Sequence, residues 1–105
     1  MIALLQQAEQ QANGGDLESA AASLERAIRI DPRNPVLWYH LATVRLSQDE
    51  PAQAEQLASK SNSLAAGNHV QQSRNWLLIA QARRQLNDSS GAAAAEQRAR
   101  ELGAR

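Results

Sequence analysis

The 105-residue sequence contains no cysteine, which excludes disulfides, thiolate metal sites and a cysteine nucleophile while leaving the compartment open. It has no Phe, and aromatics make up only 3% of the chain, too few for a sheet-based core. Neither charge is in excess: Lys and Arg total 11, as do Asp and Glu, so no long-range field draws in DNA, RNA or an anionic membrane. No run approaches the roughly 18–20 consecutive apolar residues of a membrane span, and Met1 to Leu5 lack the basic start and apolar stretch of a signal peptide. Histidine is confined to His40 and His69, and nothing resembles His-x3-His or Cys-x2-Cys. Ser59, Ser61 and Ser63 have no nearby base, and Gly14-Gly15 reads as a turn, not a phosphate loop. The expectation is a chain without catalytic residues, metal or cofactor.

What is present is helix-forming: Ala, Gln, Leu, Glu and Arg dominate. Caps and breakers divide the chain into six helical stretches. The first runs from about Ile2 to Asn13 and stops at Gly14-Gly15. Asp16 caps a second that ends at Asp31-Pro32, and Asn34-Pro35 opens a third to about Ser47. Asp49-Glu50-Pro51 opens a fourth that ends near Ala66-Gly67; the fifth is expected from Asn75 to about Leu86 and the sixth from Gly91 to Leu102. Apolar and small residues recur at helical spacing, as in Ala20, Leu24, Ala27 and in Trp38, Leu41, Ala42, so each helix has one face to bury. Helices of this length joined by short turns pack as antiparallel hairpins.

An internal period then emerges. Ser61 follows Ala27 by 34 residues, Leu64 follows Ile30 by the same interval, and Trp38 and Trp76 are 38 apart. The last unit has therefore gained four residues, expected in a loop between Asn62 and Asn75. These strings resemble the tetratricopeptide-repeat (TPR) family, whose 34-residue unit reads W-x2-L-G-x2-Y, A-x3-F-x2-A and a late Pro. Ala20, Leu24, Ala27 and Pro32 match the second half, Trp38, Leu41, Ala42 and Ala54 continue it, and Trp76, Ile79, Ala80, Ala92 and Ala99 mark a third unit. Departures are Leu4 for Trp, Gln11, Arg45 and Arg83 for Tyr, Ala58 and Glu96 for Phe, and Ser61 and Ala66 for Ala and Pro.

The resemblance implies an all-α, right-handed array of three helical hairpins forming a single domain, with units at about 1–34, 35–68 and 69–105. It further implies a scaffold or adaptor that holds a protein or peptide partner in a concave groove lined by the first helix of each unit. By position, that lining is Leu5, Gln6, Glu9 and Asn13, then Tyr39, His40, Thr43 and Ser47. Arg74, Leu77, Leu78, Gln81, Arg84 and Gln85 complete it. Tyr39 is suited to anchor an apolar side chain and the arginines to hold a carboxylate. Leu5, Glu9, Tyr39 and Thr43 stand where the family's clamp for chaperone C-termini needs basic or amide groups, so that clamp is not implied. Glu9 would repel an acidic terminus.

Two other readings accompany this one. Self-association into a homodimer follows if the ends of a short array are bare, with Leu78 and the Ala92 to Ala95 run as the contact. RNA binding would rest on Arg74, Arg83 and Arg84, without the net charge or aromatic surface to support it. Ten Arg against the single Lys60, with abundant Ala, point to a bacterial source. The helical pattern begins and ends almost with the chain, which reads as a soluble domain of a longer protein, with a slight lean to the periplasm or envelope over the cytoplasm.

Overall fold

The computed structural model describes residues 2–104; Met1 and Arg105, the outer ends of the first and third expected units, lie outside them. Six helices follow in order: α1 (Ile2–Asn13), α2 (Leu17–Ile30), α3 (Pro35–Ser47), α4 (Pro51–Leu64), α5 (His69–Gln85) and α6 (Ser89–Gly103). Capping explains most of the starts. Asp16 accepts from the Ser19 N–H at 3.2 Å, Asn34 from Val36 at 3.0 Å, Asn68 from Gln71 at 3.1 Å and Asp88 from Gly91 at 2.9 Å. Glu50 makes no such bond, and α4 begins on Pro51, whose missing N–H has no partner to lose. Within each hairpin the turn passes through one left-handed residue: Gly15, Asp49 or Asn87.

Each helix packs on its chain neighbours, and α3 also touches α5. Two clusters form the interior. One joins Ala8, Ala20, Ala21, Leu24, Leu41 and Val44; the other joins Ala42, Ala54, Ala58, Leu78, Ile79, Ala80, Ala92 and Ala95, and Leu57 packs against both. The repeated small positions Ala8, Ala42 and Ala80, and Ala20, Ala54 and Ala92, are 0–2% exposed. At such burial in a close-packed interior, a larger side chain there would have to displace its neighbours.

Two helix starts differ from the sequence-based expectation. The four extra residues of the third hairpin do not lie in a loop before Asn75. They add one turn to α5, which has 17 residues against 13 in α3. Asn68 supplies the cap, and Asn75 is buried inside the helix with its amide fully used: it donates to Ser61 Oγ at 2.8 Å and Asn62 Oδ1 at 2.9 Å and accepts from Gln71 Nε2 at 3.1 Å. Helix α6 likewise starts at Ser89, because Asp88 is the cap. Gly91 sits in the first turn, where a Cβ would fall 2.0 Å from Asp88 Oδ2.

The Ala92 to Ala95 run is not a smooth outer surface. Ala92 and Ala95 are buried in the core cluster while Ala93 and Ala94 are exposed. The remaining outward positions of α6 are polar, with Arg98 bonded to Glu101 and Arg100 to Gln97.

Candidate partner-binding face

The first helices of the three hairpins, α1, α3 and α5, present two depressions. The first, of about 270 Å³, has a floor of Leu5, Ala8, Ala12, Leu24 and Val44, with Glu9, Asn13, His40 and Thr43 around it. The second, of about 220 Å³, lies between α3 and α5 and is lined by Tyr39, Thr43, Leu46, Arg74, Leu77, Leu78 and Gln81. Thr43 borders both, with its hydroxyl donating to the Tyr39 carbonyl at 3.1 Å.

The structure therefore gathers Leu5, Glu9, Asn13, Tyr39, His40, Thr43, Arg74, Leu77, Leu78 and Gln81 around these two depressions. Gln6, Ser47, Arg84 and Gln85 are exposed but line neither. Leu78 is only 4% exposed: it belongs to the core and forms floor, so it cannot serve as a protruding contact, whereas its neighbour Leu77 is 49% exposed. Ala12, Val44 and Leu46 were missed in the sequence. Their signal was present, since they lie one to three residues from polar candidates on the same helices and supply the apolar floor.

Charges on this face are few. Glu9 is half-exposed and lies 4.0 Å from His40 Nε2. The acidic neighbour that the spacing along α3 does not supply thus arrives from α1. Burial pushes the His40 pKa below its ordinary value; Glu9 partly offsets this and Arg74 adds to it. The Tyr39 and His40 rings meet edge-on, with centroids 5.5 Å apart.

The three arginines expected as a basic cluster are divided. Arg83 holds Glu55, Arg84 pairs with Glu96 of α6, and Arg74 has no ion pair among the described residues. Arg84 is thus already occupied by a carboxylate of the same chain.

The positions where Tyr was expected act as polar staples. Gln11 accepts from Ser23 at 2.8 Å, tying α1 to α2. Arg45 bonds Glu25 of α2, and Arg83 bonds Glu55 of α4, so each ties a hairpin to the one before it. The serine hydroxyls of α4 differ in their partners. Ser63 bonds the preceding turn at Ser59, but Ser61 donates to the Pro35 carbonyl of α3. In the next hairpin the hydroxyl comes from the opposite helix, as Ser73 donates to Ala99.

A family model described as tetratricopeptide repeat matches residues 12–77. The chain belongs to the tetratricopeptide-repeat family. Its TPR fold is seen again in the globular C-terminal domain of LpoP from P. aeruginosa, 55% identical, with a TM-score of 0.93 over 94% of this chain and 93% of that one. The N-terminal domain of stress-induced protein-1 (STI-1) from C. elegans is similar with a TM-score of 0.87 over 96% of this chain and 82% of that one; at 20% identity it shows the fold alone. No curated protein matches the sequence. The composition that pointed to a bacterial source agrees with the likeness to a P. aeruginosa domain. Among the described residues of this TPR chain, no helix is long and apolar enough to cross a membrane.

Proposed function

We propose that this TPR domain is a protein-interaction module that holds a segment of a partner protein along the face of α1, α3 and α5. The observation that carries this reading is the pair of adjoining depressions with apolar floors and polar rims, meeting at Thr43. Both are smaller than the ~300–1,000 Å³ typical of small-molecule pockets, a size that suits single side chains of an extended segment. Membership of a helical-repeat family supports the same role, since stacked repeats offer an elongated binding surface and no catalytic constellation of their own.

The match to a globular C-terminal domain supports reading this chain as one domain of a longer protein. Its placement in the cell envelope is a proposal that fractionation of the native cells tests directly.

Site-specific photo-crosslinking tests the groove. A benzophenone side chain at Tyr39 or Leu77 is expected to capture a partner in the native cells, and one at exposed Arg29 on α2 is not. Capture from Arg29 alone would move the function to another face.

A further inference from the structure

Only two formal charges border the depressions, Glu9 at the first and Arg74 at the second. They are of opposite sign. Neither is committed: among the described residues Glu9 has only the 4.0 Å approach to His40 and Arg74 has no ion pair, in contrast to Arg45, Arg83 and Arg84, each held by a glutamate. His40 borders the first depression beside Glu9, and burial favours its neutral form, so it does not cancel either charge. The rest of the lining is apolar side chains, amides, Tyr39 and Thr43.

Resting on the groove reading above, we propose that the occupant is a dipolar segment of a partner protein. It places a basic side chain at Glu9, an acidic side chain at Arg74, and aliphatic side chains over the two floors. Charge complementarity carries the assignment. A uniformly acidic segment would set a carboxylate against Glu9, and a uniformly basic one would set a cation against Arg74. A polyanion such as RNA meets a single free arginine and a carboxylate on the same face. Because a segment can lie in either direction, the balance of charge is specified and the chain direction is not.

The test is selection of a random twelve-residue display library on the wild-type domain and on Glu9→Lys and Arg74→Glu, whose exposed positions are expected to leave the fold intact, as circular dichroism checks. The wild type is expected to enrich peptides with one basic and one acidic residue flanking aliphatic positions. Glu9→Lys should shift enrichment to two acidic residues, and Arg74→Glu to two basic ones. Binding of a selected wild-type peptide should weaken about two- to fivefold for each neutralised charge at low salt.

Peptides lost on Tyr39→Ala and Leu77→Ala but showing no charge preference would overturn the dipolar occupant and leave the groove standing. Peptides indifferent to those two substitutions, or no enrichment at all, would overturn both.

Discussion

The guanidinium of Arg83 on α5 grips the carboxylate of Glu55 on α4 with two hydrogen bonds, 3.1 and 3.2 Å, and gives a third to the Gly91 carbonyl at the start of α6 at 3.1 Å. One side chain thus connects three helices. Arg45 does related work one hairpin earlier, bonding Glu25 of α2 and Gln48 at 2.8 Å each. Both members of the Arg83–Glu55 pair are about three-quarters or two-thirds buried, which places the interaction between a surface and an interior ion pair. Arg83→Met is expected to lower stability by roughly 1–2 kcal/mol. Arg83→Lys should restore less than half of it, because an ammonium cannot make the two-pronged contact. Urea midpoints of the three proteins decide this; equal midpoints for Lys and Arg would refute the geometric part.

The buried amide of Asn75 gives a second expectation. It stands 38 residues after Leu37, an apolar core residue, and Ser61 stands 34 after Ala27, so two polar replacements face each other and satisfy each other at 2.8 Å. Asn75→Ala leaves Asn62, Gln71 and Ser61 short of a partner and should cost about 2–4 kcal/mol. Ser61→Ala in the same protein should cost less than it does alone, with a coupling of about 0.5–3 kcal/mol in a double-mutant cycle. Strict additivity would mean that the bond contributes nothing.

Asn87 holds φ at 61°, in the left-handed region that glycine tolerates and β-branched residues resist. Gly15 already occupies the corresponding turn of the first hairpin. Asn87→Gly is expected to change stability by no more than about +1 kcal/mol, and Asn87→Val to lower it by about 1–2 kcal/mol. Thermal melting separates the two; a stable Val variant would show that the turn has relaxed.

His40 makes stability depend on pH. Its folded pKa lies below the ordinary 6.5, chiefly through burial, so the unfolded chain binds the proton more readily. Above that ordinary value both states are neutral and nothing is gained or lost. As pH falls through it, the folded state loses stability, and the loss levels off below the folded pKa. His40→Gln should remove this component of the profile. Glu9→Gln should move the His40 titration, followed by NMR, to lower pH, and Arg74→Gln should move it to higher pH, because the two charges act on the imidazole with opposite sign.

Most of the helices were readable because their signals are local: Asp16, Asn34 and Pro51 mark starts, and alanines at repeat spacing mark the buried faces. The misplacement of α5 has a physical origin. Asn75 carries the same capping chemistry as Asn68, and only partners on another helix, Ser61 and Asn62, reveal that its amide is consumed in the interior. The candidate face was legible as a set of helix positions. Its electrostatics were not, since the pairing of Arg84 with Glu96 and the approach of Glu9 to His40 join residues 12 and 31 positions apart. Leu78 shows the same limit: periodicity alone does not choose which of Leu77, Leu78 and Ile79 turns outward, and the packed array buries Leu78 and Ile79 and leaves Leu77 exposed.

The alanine positions at 0–2% exposure have a consequence for how such a domain diversifies. Even one added methyl group there must displace packed neighbours. Descendants of this sequence therefore have little freedom inside and wide freedom on the rims, where a charge can be exchanged without disturbing the stack. New specificities would arise by repainting a fixed frame.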